Sequence, residues 1–225
     1  MNQDTAETVR IDQVEQGMRT LAHDWRNVLN GINLRITSAT YAEKPADREA
    51  DLADAQQLIA TATKQLTLLS RKMTAPKVTP IPYLSSFLIE DLSGYLSQQL
   101  GVNAMKLDWK KSELSGKAMV DFGAISQAFC ELIENTLQRL SGDTRVPISS
   151  TEDAGFLAIS WSETTSGETQ PESWGKAPFQ TTERGKLGLG IFYARRVLEA
   201  HGGTLKFTTA DSRLQTTLRI PLEAV

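Results

Sequence analysis

Three polar residues in one short segment, His23, Asp24 and Asn27, could together handle a phosphoryl group. A carboxylate beside a histidine can accept the proton of Nδ1, which leaves the other imidazole nitrogen free to attack an electrophilic phosphorus. An amide one turn further along a helix lies on the same side and could orient a water for hydrolysis of a phosphoaspartate on a docked partner. The alternative is that all three are solvated surface residues, and their types alone leave both interpretations open.

A glycine-containing segment near the C-terminus could bind phosphate groups. Gly188 and Gly190 lie at the start of a stretch, residues 189–200, whose apolar spacing predicts a helix. Glycines just before a helix allow backbone amides to approach phosphates, and the helix N-terminus adds a favourable dipole. His201 follows this stretch and is expected to cap the end of the helix. A glycine cluster alone is weak support for a binding site, so its meaning depends on the elements around it.

Two heptad-patterned helices must position His23. Apolar residues in the first helix alternate by three and four positions, which is typical of a narrow helical seam, and they are Ile11, Val14, Met18, Leu21, Trp25, Val28 and Ile32. In this register Trp25 falls at a core position, whereas His23 falls at position f and Asn27 at position c. We therefore predict that His23 points to solvent, which disfavours a buried structural role for it.

A second helix with nearly the same pattern follows a polar break at residues 41–48. Pro45 interrupts the pattern there, and Asp47 is a candidate cap for the new helix. The seam then repeats at Leu52, Ala55, Ile59, Ala62, Leu66, Leu69 and Met73. Two such helices make an antiparallel hairpin, but their seams bury too little surface to offset chain entropy. We therefore expect a four-helix bundle formed by two chains, and so a homodimer.

The sequence changes character at residues 75–82, where three prolines in eight residues cannot continue a helix. We predict a helical hairpin domain at residues 1–75 and a second domain at residues 76–225. The second domain should contain helices near 84–100, 122–140 and 189–200, and strands near 105–109, 145–150, 155–161, 204–209 and 214–220. Helices and strands that mix without strict alternation favour an α+β fold of the two-layer sandwich type.

The overall composition is that of a globular protein and argues against several classes of partner. The 225 residues are 40% hydrophobic and 23% charged, and the formal net charge of −3 is too small to indicate nucleic acid or an acidic membrane surface. No stretch approaches the roughly 18 apolar residues of a membrane helix, and the N-terminus lacks the order of a signal peptide. We therefore expect a cytoplasmic protein. The single cysteine, Cys130, lies in an apolar-patterned run and is expected to be buried.

Residues 21–32, LAHDWRNVLNGI, resemble the phosphoacceptor box of the sensor histidine kinases of two-component systems. In that box a His, an acidic residue and a Thr or Asn four residues after the His recur together, and these roles match His23, Asp24 and Asn27. The family usually has proline after the Thr or Asn, where this chain has Val28, so we expect a helix without the customary kink. The resemblance implies a dimeric hairpin whose histidine passes a phosphoryl group to an aspartate of a response-regulator receiver domain.

The second domain is similar to the GHKL-type ATPase domain of the same kinases. Residues 188–203, GLGIFYARRVLEAHGG, resemble its phosphate-binding end, and residues 178–185 resemble its lid segment. Residues 131–140, ELIENTLQRL, resemble its magnesium-binding helix, which assigns the metal to Asn135 and a role as base or water-positioning group to Glu131. An amide oxygen and a carboxylate on one helix face suit Mg²⁺ carrying a triphosphate, although a polar stripe on an amphipathic helix is the alternative. The resemblance therefore implies ATP and Mg²⁺ as cofactors.

Two departures from the family pattern fall in the nucleotide site. The family recognises adenine with an Asp in an Asp-x-Gly-x-Gly pattern, and the matching residues here are Glu163, Thr165 and Gly167. Glu163 keeps the carboxylate but is one methylene longer, and Thr165 puts a side chain where the backbone should approach the base. Lys186 stands where the first glycine of the phosphate loop is expected, and it could contact a phosphate or fill the site. The predicted cofactor-binding residues are Asn135, Glu163, Gly167, Lys186, Gly188 and Gly190.

Three functions are compatible with these patterns. The favoured hypothesis is an ATP-dependent histidine kinase that phosphorylates His23 from MgATP and passes the phosphoryl group to a response regulator. The second hypothesis is a dimeric phosphotransfer or scaffold protein that keeps the fold but does not use ATP, and the altered adenine pattern motivates it. A third hypothesis is an interaction module in which neither site is used. Since no sensory domain is recognised before the hairpin, a stimulus is expected to arrive through a separate sensor protein or the short N-terminal arm.

Overall fold

The computed structural model describes residues 11–110, 112–140, 142–165, 171–181 and 187–223. The chain divides into two compact units. One contains the residues up to Thr74 together with Pro178–Gly188, and the other contains Ala75–Ala177 and Leu189–Val225. We call them the helical unit and the sheet unit. The acceptor candidate His23 therefore lies in the helical unit, and most of the residues predicted to bind nucleotide lie in the sheet unit.

The helical unit contains the predicted hairpin. Helix α1 spans Ile11–Tyr41 and helix α2 spans Pro45–Met73. Small residues allow the two helices to approach, because Ala39, Ala55 and Ala62 are buried. The seam residue Trp25 is half-buried, whereas the side chain of His23 is 68% exposed. The predicted exposure of His23 is therefore confirmed.

Helix α2 begins differently from our expectation. Pro45 is in its first turn rather than before it, and Lys44 is the N-cap without a side-chain capping bond. Proline fits this position because the first N–H groups of a helix have no intrahelical acceptor. Asp47 lies inside the first turn, so its predicted capping role was wrong. Its carboxylate lies instead where the helix dipole favours negative charge.

Asp51 of α2 connects the two helices near the turn of the hairpin. Its Oδ1 lies 3.0 Å from Arg35 NH1, and its Oδ2 accepts a 2.5 Å hydrogen bond from the Ser38 hydroxyl. The Ser38 hydroxyl, and then the Arg35 guanidinium, lower the pKa of Asp51 below its usual value. The ionised form of Asp51 is therefore favoured by folding, and protonation should weaken the hairpin.

We expect the Asp51 contribution to stability to be complete above the usual aspartate pKa of about 4 and to be lost as pH falls through the lower native pKa. The helix signal in circular dichroism, followed during acid titration in moderate urea, measures this effect. Asp51→Asn should be less stable near neutral pH, and the stability difference should shrink at acid pH. An equal difference at pH 7 and at pH 3 would contradict this role of the carboxylate.

The sheet unit is the predicted two-layer α+β sandwich. The strands of its five-stranded sheet are β2 (Leu107–Trp109), β4 (Val146–Asp153), β5 (Phe156–Thr164), β6 (Thr204–Ala210) and β7 (Arg213–Pro221). Their order in the sheet is β2-β4-β5-β7-β6, in which β2 and β4 are parallel and the other neighbours are antiparallel. The helices are α3 (Ser85–Leu100), α4 (Phe122–Arg139) and α5 (Gly190–Ala200). The helices and one face of the sheet share a single hydrophobic core.

Alternation along the strands explains why the helices cover one face of the sheet. In β5, Leu157, Ile159 and Trp161 are buried, and the intervening Ser160 and Ser162 are less buried. Helix α4 packs an apolar side against the core, since its inward residues include Phe129 and Ile133 with no exposed surface. Cys130 is buried, as predicted. No helix among the described residues is both long and apolar enough to span a bilayer.

The sheet unit also contains a small second sheet that was not predicted from the sequence. Strands β1 (Ile81–Leu84) and β3 (Lys117–Val120) form an antiparallel pair in which Ile81 faces Val120. Two prolines near β1 obscured it, because proline cannot donate to a strand ladder and is tolerated only at edges. The strand predicted at residues 105–109 is also shorter, since Gly101–Lys106 forms a 3₁₀ helix and β2 begins at Leu107.

His201 joins the end of α5 to the start of α4. It is the C-cap of α5, as predicted, and only 5% of it is exposed. Its Nδ1 lies 2.7 Å from the Val197 carbonyl oxygen, and its Nε2 accepts a 2.9 Å hydrogen bond from the Asp121 backbone N–H. Asp121 in turn caps α4 by accepting from the Ala124 N–H. The imidazole therefore carries its proton on Nδ1 and has a structural role.

His201→Ala should destabilise the sheet unit by about 2–4 kcal/mol, because it removes the side-chain acceptor of the partly buried Asp121 N–H and creates a cavity. Urea unfolding followed by tryptophan fluorescence measures the change. His23→Ala is the matched control, and this exposed substitution should change stability by no more than about 0.5 kcal/mol. Equal effects of the two substitutions would contradict a structural role for His201.

Candidate functional site

Helix α1 presents the three acceptor-box residues on an exposed surface. His23 Nδ1 lies 3.4 Å from Asp24 Oδ1 and 3.3 Å from Asn27 Nδ2. The side chains of His23 and Asp24 are 68% and 54% exposed. The one-residue and four-residue spacings produce this cluster, because residues four apart on a helix share a face. The structure therefore brings these three predicted site residues together.

The two contacts to Nδ1 require different tautomers of His23. Donation to Asp24 requires a proton on Nδ1, whereas acceptance from the Asn27 amide requires a lone pair there. In the first tautomer Nε2 carries the lone pair that a nucleophile needs. Among the described residues Nε2 has no hydrogen-bond partner, and the imidazole is exposed. The imidazole of His23 is therefore accessible from solvent.

In the sheet unit, α4 and the start of α5 bring together three predicted residues. A Cβ added to Gly190 would lie 2.7 Å from Glu131 Oε2 and 3.3 Å from Asn135 Nδ2, so only glycine fits there without movement. The Asn135 amide donates a 2.7 Å hydrogen bond to the Glu131 carbonyl oxygen, which fixes its orientation. The amide oxygen of Asn135 and the carboxylate of Glu131 are hard donors that suit Mg²⁺. Among the described residues no group of three or more His, Cys, Asp or Glu forms a metal cluster.

Other predicted positions are separate from this cluster or outside the described residues. Gly188 belongs to the helical unit and has a φ of 63°, a conformation that favours glycine. The backbone of Gln180 lies against the position where a Cβ would stand. Gly167 and Lys186 lie outside the described residues. The predicted roles of these two residues remain predictions.

The carboxylate of Glu163, predicted to recognise adenine, is already engaged by the protein. Its side chain is 1% exposed and forms an ion pair with Arg139 of α4. Arg139 NH2 donates to Oε1, Arg139 Nε donates to Oε2 at 3.2 Å, and the Thr136 hydroxyl donates to Oε1 at 3.4 Å. The carboxylate therefore accepts three hydrogen bonds from α4. Three of its about four acceptor sites are filled and the side chain is almost completely buried, so in this arrangement Glu163 does not fit an adenine amino group.

Sequence reasoning missed Arg139, although it lies in the segment that contains Asn135. Its guanidinium carbon lies 5.3 Å from the centroid of the Trp174 ring. Trp161 extends the cluster, since its Nε1 donates a 2.9 Å hydrogen bond to the Thr136 hydroxyl. The available signal was periodicity, because Glu131, Asn135 and Arg139 are four residues apart and share one side of α4. The ion pair itself joins residues 24 positions apart and has no local signature.

Comparisons with known proteins identify the fold. No family model matches the chain, and no curated protein matches it significantly. Among solved structures, the Acinetobacter baumannii histidine kinase AdeS is similar with a TM-score of 0.56 at 18% identity, covering 90% of this chain and 98% of that chain. The histidine kinase ThkA in complex with the response regulator protein TrrA gives a TM-score of 0.58 at 14% identity, covering 98% of this chain and 68% of that chain.

A third structure, full-length ShkA in complex with AMPPNP, gives a TM-score of 0.58 at 17% identity. The match covers 94% of this chain but 46% of ShkA, so this chain spans less than half of that protein. Identities this low establish the fold. The chain therefore has the fold of histidine kinases, with a helical hairpin followed by a GHKL-like α/β unit.

Proposed function

We propose that this protein carries a phosphoryl group on His23 and exchanges it with aspartates of response-regulator receiver domains. The observation that carries the proposal is the exposed imidazole, whose Nδ1 lies near the Asp24 carboxylate and the Asn27 amide while Nε2 has no hydrogen-bond partner among the described residues. A deeply buried histidine, such as His201, could not meet a partner in this way. The histidine kinase ThkA, which has the same fold, has been solved in complex with a response regulator.

The transfer step needs no group beyond the two proteins. The lone pair of His23 Nε2 attacks the phosphorus of an aspartyl phosphate, the phosphorus–nitrogen bond forms, and the phosphorus–oxygen bond breaks. The aspartate of the receiver leaves as a carboxylate. The Nδ1 proton stays on the ring, which becomes cationic, and Asp24 stabilises this charge. The reverse reaction passes the phosphoryl group to a second receiver.

Asn27 supports a second outcome at the same site. In the tautomer in which Nδ1 accepts from the Asn27 amide, the proton lies on Nε2 and His23 cannot attack phosphorus through Nε2. The Asn27 amide can then orient a water toward a receiver phosphoaspartate, which is hydrolysed. Contact of Nδ1 with Asp24 therefore favours transfer, whereas contact with Asn27 favours hydrolysis.

A homodimer is part of the proposal. Four apolar residues at seven-residue spacing on α2 keep exposed surface in the single chain, and they are Leu52, Ile59, Leu66 and Met73. Their exposed fractions run from 39% to 48%, which is large for seam positions. A second copy of the hairpin would cover this row in a four-helix bundle. Sedimentation equilibrium at micromolar concentration measures the expected dimer.

ATP is the less favoured phosphoryl donor, because the Glu163 carboxylate, which would recognise the adenine base, is paired with Arg139. An ATP-dependent kinase remains the second candidate function. The contact of Gly190 with Glu131 and Asn135 favours it, since these residues could hold Mg²⁺ and phosphate groups. If ATP and Mg²⁺ bind there, they would supply the phosphoryl group to His23.

Two parallel incubations test these functions. In the first, a purified receiver domain carrying labelled phosphoaspartate is mixed with the protein without nucleotide, and acid-labile, base-stable label should move to this chain. In the second, γ-labelled ATP and Mg²⁺ are added without a receiver, and labelling should be absent. Labelling in the second alone would replace the proposal with the kinase. Labelling in neither, across a panel of receivers, would reject both functions.

A further inference from the structure

In the cluster of Arg139, Glu163 and Trp174, the Arg139 guanidinium contacts the other two residues as a bound ligand would. The Glu163 carboxylate is almost completely buried, and the donors that satisfy it come from α4. The planar guanidinium of Arg139 donates two N–H groups edge-on to this carboxylate while lying over the indole of Trp174. A flat group that donates at its edge and stacks on its face is also what a purine with an amino group presents.

We infer that Arg139 occupies the place of a nucleobase, so that the sheet unit excludes purine nucleotides until this side chain is displaced. The inference rests on the assignment of Glu163 to base recognition and deepens the proposed function, because it gives a physical reason for a donor other than ATP. Arg139 competes for the same carboxylate oxygens that an adenine amino group would need. It also covers the indole on which a base would stack.

The exposure of Arg139 distinguishes this arrangement from a sealed structural ion pair. Its side chain is 31% exposed, while the Glu163 side chain is 1% exposed. The guanidinium therefore closes the outer side of a buried acceptor and can be reached from solvent. Since Glu163 belongs to β5 and is held in the five-stranded sheet, removal of the Arg139 side chain should leave the carboxylate in place.

The test is ATP binding to full-length variants, measured by isothermal titration calorimetry with Mg²⁺ present. The unaltered protein should show no saturation up to about 1 mM ATP. Arg139→Ala should bind ATP at least about tenfold more tightly, because the base gains charge-assisted hydrogen bonds to Glu163. Arg213→Ala is the matched control, since Arg213 contacts Ser162 and does not touch Glu163, and it should bind like the unaltered protein.

Titration with tripolyphosphate, which has the phosphate groups of ATP but no base, distinguishes base recognition from simple anion binding. Arg139→Ala removes a positive charge, so its affinity for tripolyphosphate should stay unchanged or fall while its affinity for ATP rises. Thermal unfolding establishes that each variant is folded. If Arg139→Ala does not fold because the buried Glu163 charge is left without a partner, Arg139→Gln keeps an amide NH2 donor for Glu163 and should show a smaller gain in ATP affinity.

Two results would overturn the inference. One is saturable binding of ATP by the unaltered protein below about 1 mM. The other is a folded Arg139→Ala or Arg139→Gln variant that binds ATP no more tightly than Arg213→Ala does. Neither result bears on transfer from a receiver to His23, because that assay contains no nucleotide. Failure of this inference and failure of the proposed function are therefore distinguishable.

Discussion

His23→Ala should abolish phosphoryl uptake from a receiver, reducing the label on this chain to background. The imidazole Nε2 is the nucleophile, and alanine offers no atom that could form the phosphorus–nitrogen bond. Since His23 is exposed on α1, its loss should leave the fold intact. The measurement is the amount of base-stable label on the chain after incubation with a phosphorylated receiver.

His201→Gln is the control for this result, because the chain contains two histidines. The buried His201 uses both ring nitrogens in hydrogen bonds, so its loss should not remove label from protein that remains folded. Full labelling of the His23→Ala variant would show that another group accepts the phosphoryl group and that His23 is not the acceptor.

Asp24→Asn should slow transfer to His23 by about 100-fold. The carboxylate holds the proton on Nδ1 and stabilises the positive charge that develops on the imidazole during attack. An amide of the same size keeps the geometry but lacks the charge, and it can also favour the wrong tautomer by donating to Nδ1. Quenched-flow measurement of label appearing on the chain gives the rate.

Glu15→Gln provides the comparison for Asp24→Asn, since Glu15 is another exposed acid of α1 and pairs with Arg19 at 3.6 Å. It should transfer at the rate of the unaltered protein. A slow rate in both variants would indicate that the overall charge of α1 guides the receiver. A normal rate in Asp24→Asn would remove the carboxylate from the mechanism.

Features that depend on local spacing could be predicted from the sequence. The heptad pattern determines which side of α1 carries Trp25 and which carries His23, because side-chain direction follows position in a helix. Alternation in β5 likewise placed Leu157 and Trp161 on the buried face. The acceptor cluster is also local, since its three residues lie within one helical turn.

Features that depend on distant parts of the chain could not be predicted. The contact of His201 with Asp121 joins residues 80 positions apart, and the pair of Arg139 with Glu163 joins residues 24 positions apart. A single sequence gives the type of each residue but not which buried charge finds which partner. The sequence therefore indicated Glu163 as an acceptor for adenine, and only the structure shows the arginine that engages its carboxylate.

The atom of His23 that carries the phosphoryl group identifies the nucleophile directly. The phosphorylated chain, loaded from a receiver without nucleotide, is digested at alkaline pH and the peptide containing His23 is examined by ³¹P–¹H NMR. Phosphorus on Nε2 couples through three bonds to both carbon-bound ring protons, whereas phosphorus on Nδ1 does so to one. We expect coupling to both, because Asp24 and Asn27 occupy the Nδ1 side. Phosphorus on Nδ1, or on a peptide without His23, would contradict transfer through Nε2 of His23.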